Sequence, residues 1–137
     1  MTTAVDANII LEFLTGTPAQ IQVAQGALTA AKASGDLIVS VIAYAEVAAR
    51  FSSKAQADDL FALLRCSVQP LDASPAFVAG HFFRDYKRRG GTRNRMLADF
   101  LIAAHAQLNA DRILTRDTRF YGPDFRRLKA IRPEDLI

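Results

Sequence analysis

The strongest constraint on this chain is the alternation of very short apolar runs with longer stretches of helical spacing. Thr3-Ala4-Val5, Leu37-Ile38-Val39 and Arg112-Ile113-Leu114-Thr115 show no regular polar alternation, the pattern of strands buried on both faces. Ser67-Val68-Gln69, closed by Pro70, reads as a weaker third strand, and Leu128-Lys129-Ala130-Ile131 is a candidate fifth. Helices are predicted over 8–14, 19–34, 41–51, 55–64, 75–89 and 95–108, with a short turn or helix from Asp117 to Tyr121. Ile21, Ala24, Leu28 and Ala31 recur at helical spacing, and Gly35 is a suitable stop. Ser40 can cap the helix that follows it. Ser74-Pro75 predicts a helix start with proline at its first position. Gly90-Gly91 ends that helix, and Asn94 can cap the next. Strands that alternate with helices imply parallel pairing through crossovers. The predicted fold is therefore α/β: a three-layer α/β/α sandwich around a small, mainly parallel sheet of four or five strands. With 137 residues, half of them hydrophobic, residues 1–137 read as one domain, without repeat or linker.

Cys66 is the one cysteine, which excludes a disulfide framework and any multi-cysteine zinc site. His81 and His105 leave little for a histidine-based metal site. The longest strongly apolar stretch, 37–49, is broken by Ser40 and Glu46 and is too short to span a bilayer. Asp6 and Glu12 stand where a signal peptide would be apolar. We expect a soluble, cytoplasmic protein. The net charge of +3 is unevenly spread: residues 1–68 carry four bases against six acids, and residues 69–137 carry thirteen against eight. Arg84, Lys87, Arg88, Arg89, Arg93 and Arg95 form the densest basic run. Such a run is either a solvated face or a landing surface for a polyanion.

Four acids stand in apolar surroundings. Asp6 follows Ala4-Val5, at the carboxyl end of the first strand. Glu46 is the sole charge in 41–49, a helix apolar nearly all round and so expected to be largely buried. Asp99 is the sole charge in 96–104. Asp117 comes just after the fourth strand. Ligands of open α/β sheets sit outside the carboxyl ends of the strands, where Asp6 and Asp117 are placed directly. Glu46 can lean over the same edge, and Asp99 can join if its helix starts there. Converging carboxylates repel one another, and burial penalises each charge. Protonation or a bound cation relieves both effects. With oxygen ligands only, the cation would be hard, Mg²⁺ or Mn²⁺. Such an ion can activate water and offset the charge that develops on a phosphodiester. Plainer roles exist for each acid. Glu46 with Arg50, and Arg95 with Asp99, are spaced as helix ion pairs, and Asp6 and Asp117 can cap the helices that follow them.

At these residues the sequence resembles the PIN-domain nucleases, in particular VapC-type toxins of bacterial toxin–antitoxin pairs. The matching pieces are Asp6-Ala7-Asn8-Ile9-Ile10-Leu11, Ala45-Glu46-Val47, the run from Leu97 through Asp99 to Ala106, and Ile113-Leu114-Thr115-Arg116-Asp117 with Phe120 beyond. The resemblance implies that Asp6, Glu46, Asp99 and Asp117 form an acidic quartet binding Mg²⁺ or Mn²⁺. Asn8 and Thr115 match positions that orient the acids. It also implies endonucleolytic cleavage of RNA, a small antitoxin partner and a homodimer. Ala7 departs from the family pattern, where a hydroxyl residue is frequent.

Arg88, Arg89 and Arg93 are the candidate substrate contacts. Phe82, Phe83 and Tyr86 interleave with bases, but their spacing favours core or dimer packing over stacking on nucleotides. His105 does not share a face with Asp99 and is expected to be structural. Two rival readings belong to other classes. One is a phospho-acceptor signalling domain that uses Asp72, which leaves Glu46 and Asp99 without a role. The other is a catalytically silent binding module on the same fold.

Overall fold

The computed structural model describes residues 1–91 and 96–137, with positions 123 and 124 described by backbone alone. The elements run in chain order as β1 (Thr3–Val5), α1 (Ala7–Thr15), α2 (Pro18–Ala33), β2 (Leu37–Ser40), α3 (Val41–Ala48), α4 (Lys54–Leu63), β3 (Cys66–Gln69), α5 (Ala73–Arg88), α6 (Leu97–Asn109), β4 (Arg112–Leu114), α7 (Thr118–Asp124) and β5 (Lys129–Ile131), closed by a 3-10 turn, Pro133–Leu136. All five strands pair in parallel, in the order β3-β2-β1-β4-β5. The expected sandwich of helices around a small parallel sheet is present, with its fifth strand.

Each strand has only three or four residues. β1 and β2 are buried throughout, which accounts for their lack of alternation. Local chemistry sets the helix starts. Thr17 accepts the Gln20 N–H (3.2 Å) and the Gln20 side chain accepts the Thr17 N–H (2.9 Å), a reciprocal cap with Pro18 behind it. Ser40 accepts the Ala43 N–H at 3.1 Å, so the last residue of β2 also caps α3. Gly35 turns the chain into β2 at φ +152°, and a Cβ there would lie 1.9 Å from the Met1 carbonyl oxygen.

Two expectations change, and a third is not tested. Pro75 stands third in α5 rather than first, because Asp72 is the N-cap; no helical bond is lost, since the first-turn N–H groups have no partner within the helix. α3 ends at Ala48 and is half-buried: Ala43 and Val47 face the core, whereas Val41, Ala45 and Glu46 are exposed. Composition alone overstated its burial because one face of the helix is left uncovered by this chain. The predicted Asn94 cap, together with Arg93 and Arg95, lies outside the described residues.

Phe100 centres the aromatic core. It is fully buried and packs against Phe83 and Tyr86 (both 5.6 Å) and Phe120 (5.1 Å). Phe82 packs on Phe125 at 4.9 Å. These contacts tie α5 to α6 and α7 and place the α5 aromatics in the core. Cys66 is buried, and burial pushes its thiol up to about 12. His105 is buried and held below its ordinary pKa by desolvation, in keeping with a structural role. Among the described residues, no helix is long and apolar enough to cross a membrane. Phe100→Ala should cost about 3–5 kcal/mol in urea denaturation. Phe77→Ala, at a residue 67% exposed, should stay within about 0.5 kcal/mol. Equal losses would contradict this placement of the core.

Candidate active site

The chain leaves central β1 toward β2 on one side and later returns through β4 on the other. The sheet order therefore reverses between β1 and β4, and the crevice at their carboxyl ends is the expected ligand position. Asp6 directly follows β1, and its N–H bonds the Leu114 carbonyl of β4 at 3.0 Å. Asp117 lies three residues beyond the end of β4. Glu46 projects from α3 and Asp99 from the first turn of α6. With Asn8, Leu11, Phe120 and Tyr121, all four acids line one cleft of about 130 Å³. Four separate stretches of chain thus contribute one carboxylate each.

Asp6 is the anchor. It occupies the N-cap position of α1 but makes no side-chain cap bond. Its Oδ2 instead accepts the Thr115 hydroxyl (2.8 Å), the Tyr121 hydroxyl (2.9 Å) and, at the long limit, Asn8 Nδ2 (3.5 Å). Thr115, fully buried, also accepts the Asp117 N–H at 3.1 Å. Asn8 Oδ1 accepts the Arg116 N–H at 3.3 Å. Asn8 and Thr115 therefore brace the two strand ends.

The plainer roles fare differently. Asp117 is the N-cap residue of α7 without a side-chain cap bond. Among the described residues no ion pair joins Glu46 to Arg50. Asp99 does serve its own helix, since its Oδ2 accepts the Met96 N–H at 3.0 Å; the proposed Arg95 partner is outside the described residues. Asp72 is exposed at the start of α5 and does not line the cleft. The sheet order also excludes the phospho-acceptor reading, because such domains use the order 2-1-3-4-5. Here β2 separates the residue after β3 from Asp6.

Electrostatics make the convergence visible. Desolvation raises the Asp6 pKa above its ordinary value; the Thr115 and Tyr121 hydrogen bonds pull it down, and the Asp99 charge pushes it further up. Glu46 is raised by desolvation, then by the charges of Asp6 and Asp99. Tyr121, 3% exposed, is raised well above its ordinary value by burial and by Asp6, Asp99 and Asp117. It therefore stays a neutral hydrogen-bond donor at physiological pH.

Two functional positions escaped the sequence. Tyr121 donates to Asp6 from one helical turn beyond Asp117, and that spacing was the available signal. Arg116 clamps Glu12 of α1 through Nε (2.8 Å) and Nη2 and reaches Glu134 through Nη1; no local pattern announces partners so distant in sequence. Arg88 and Arg89 are exposed at the end of α5 and do not line the cleft.

The model of the PIN domain matches residues 3–126, and the chain belongs to this family. No curated protein matches it at a significant level. Among solved structures it is similar to VapBC2 from Rickettsia felis, bound to a DNA fragment from its promoter (20% identity, 96% of this chain and 98% of that one covered, TM-score 0.71). It is also similar to VapBC-1 from nontypeable Haemophilus influenzae (23%, 98% and 99%, 0.69) and to a toxin–antitoxin complex from Klebsiella pneumoniae (20%, 96% and 97%, 0.68). At these identities the likeness establishes the shared fold.

Neutralising one acid should relieve the others. In chelator-treated protein, Asp99→Asn removes a charge that raises both Asp6 and Glu46, while its amide oxygen can still accept the Met96 N–H. Its melting temperature should rise by a few degrees, equivalent to ~1 kcal/mol in a chain of this size. A fall would show that repulsion in the cleft is not a cost to folding.

Proposed function

We propose that this protein is a Mg²⁺- or Mn²⁺-dependent endoribonuclease and the toxin of a VapBC-type pair. The observation that carries the reading is the meeting of Asp6, Glu46, Asp99 and Asp117 in one cleft at the switch point of the sheet. Membership of the PIN family supports it.

The donor set suits a hard cation. All candidate ligands are carboxylate oxygens, and their mutual repulsion is the stress that a cation relieves. Among the described residues, no three His, Cys, Asp or Glu side chains are grouped tightly enough to ligate one ion together. Mg²⁺ usually keeps most of its waters and takes one or two carboxylates directly. Asp6 and Asp99 would be the direct ligands, with Glu46 and Asp117 acting on its waters. When bound, the ion would lower the pKa of a water and offset charge on the phosphodiester.

The residues of the chain have separate tasks. Thr115 and Tyr121 hold Asp6 Oδ2, which leaves Oδ1 without a side-chain donor among the described residues and aims the carboxylate. Glu46, exposed and raised above its ordinary pKa, would take a proton from water. Asn8 keeps α1 in register with the Thr115-Arg116-Asp117 segment. Arg88, Arg89 and Arg93 would contact substrate phosphates.

A small antitoxin is the proposed partner, and the protein is proposed to work in the cytoplasm as a homodimer. A hollow of about 340 Å³ lined by Phe13, Leu28, Leu63 and Leu64, with Lys32 and Arg65 also in its wall, suits an apolar segment flanked by acids. The solved relatives named as toxin–antitoxin complexes support the same reading.

RNA cleavage should require Mg²⁺ or Mn²⁺ and stop when chelator is added. Asp6→Asn and Asp99→Asn should each abolish cleavage while circular dichroism remains that of the folded chain. Cleavage at the wild-type rate by either variant would end the site assignment. A wild-type protein that cuts no RNA yet binds a partner would be a silent module instead.

A further inference from the structure

A group of basic residues that the proposed function leaves unused lies in and beyond α7. Residues 116–132 carry six bases against two acids. Arg116 is occupied by Glu12 and Glu134. Arg119, Arg126, Arg127, Lys129 and Arg132 are all exposed, and no ion pair holds them among the described residues. They follow α7 and the edge strand β5.

Between those two elements lies a second hollow of about 180 Å³, walled by Thr118, Tyr121, Gly122, Phe125, Arg126 and Leu128 among others. Tyr121 also lines the acidic cleft, so the two spaces adjoin across one side chain. α7 begins next to Asp117 and runs away from the carboxyl edge, while β5 starts at the opposite edge, where Lys129 pairs in register with Arg112. The hollow therefore leads from the acids down the flank of the sheet toward the arginines.

Gly122 supplies an independent observation. It lies within α7, where glycine costs about 1 kcal/mol relative to alanine. Its φ is not positive, so the left-handed region does not call for glycine; Pro123 follows it, and a helical residue before proline avoids a Cβ clash when it is glycine. Beyond its chain neighbours, a Cβ there would meet nothing within 4 Å. What the missing side chain does provide is an open wall of the hollow, where a ligand backbone can come close.

We propose that single-stranded RNA leaves the acidic cleft along this hollow, with Arg126 on its phosphates and Gly122 giving the sugar–phosphate chain clearance. The inference rests on the nuclease reading above and gives that activity a strand path. The hollow is narrow and its aromatic residues, Tyr121 and Phe125, are buried. The path therefore reads backbone charge and strand width, not bases stacked on rings.

The test measures binding of a short fluorescein-labelled single-stranded RNA of mixed sequence by anisotropy, in the Asp99→Asn background so that the probe survives. Adding Arg126→Ala should weaken binding about threefold and reduce the log–log salt slope by about 0.7. Gly122→Leu should weaken binding more than Gly122→Ala at a similar melting temperature, because both place a Cβ before Pro123 and only leucine fills the hollow. That combination separates a blocked path from a damaged fold. If Arg126→Ala and Gly122→Leu bind like the parent and, with Asp99 restored, cleave like wild type, the path is wrong and the nuclease reading stands. If the parent binds no RNA at any salt concentration, both proposals fall.

Discussion

The arrangement depends on the unfavourable electrostatics of a carboxylate at the end of a buried central strand. Asp6 leaves β1 between β2 and β4, where water is scarce and three further acids face the same space. A lone buried anion there would either take up a proton or destabilise the sheet. The fold answers with three donors on a single oxygen, two of them hydroxyls from beyond β4. These bonds lower the Asp6 pKa against the desolvation that raises it. Asp6 is thus oriented by its donors yet under-neutralised, since desolvation still leaves its pKa above the ordinary value.

The supporting interactions show how a thin sheet sustains such a site. With three or four residues per strand, ladder hydrogen bonds alone cannot hold the strand ends in place. Side chains at the carboxyl edge take over: Ser40 caps α3 as β2 ends, Thr115 links Asp6 to the Asp117 backbone, and Arg116 joins α1 to the closing 3-10 turn. The aromatic group around Phe100 anchors α6, and with it Asp99, against α5 and α7. Rigid packing beneath and polar bracing above make the cleft a property of the whole fold.

Much of this was legible before any coordinates. Three apolar runs identified β1, β2 and β4 because double-sided burial suppresses alternation, whereas the partly exposed β3 and β5 left weaker signals. Glu46 and Asp99 stood out as lone charges among apolar neighbours, and Asp6 and Asp117 by following a strand. The burial of α3 was overestimated, since composition reports that a helix is apolar and not which neighbours are there to cover it. Tyr121 was passed over because an aromatic beside Phe120 looks like core, and its hydroxyl matters only once Asp6 is beside it. Arg116 was invisible for a related reason: Glu12 and Glu134 are 104 and 18 residues away.

Taken alone, the sequence determined the element types, the parallel α/β class and the identity of the four acids, because periodicity, capping and isolated charge are local properties. Only the tertiary structure decided that those acids share one cleft, which oxygen of Asp6 is held, and that Tyr121 divides an acidic space from a basic-walled one. Those facts depend on strand order and on contacts between residues more than a hundred positions apart, and no local pattern carries that information.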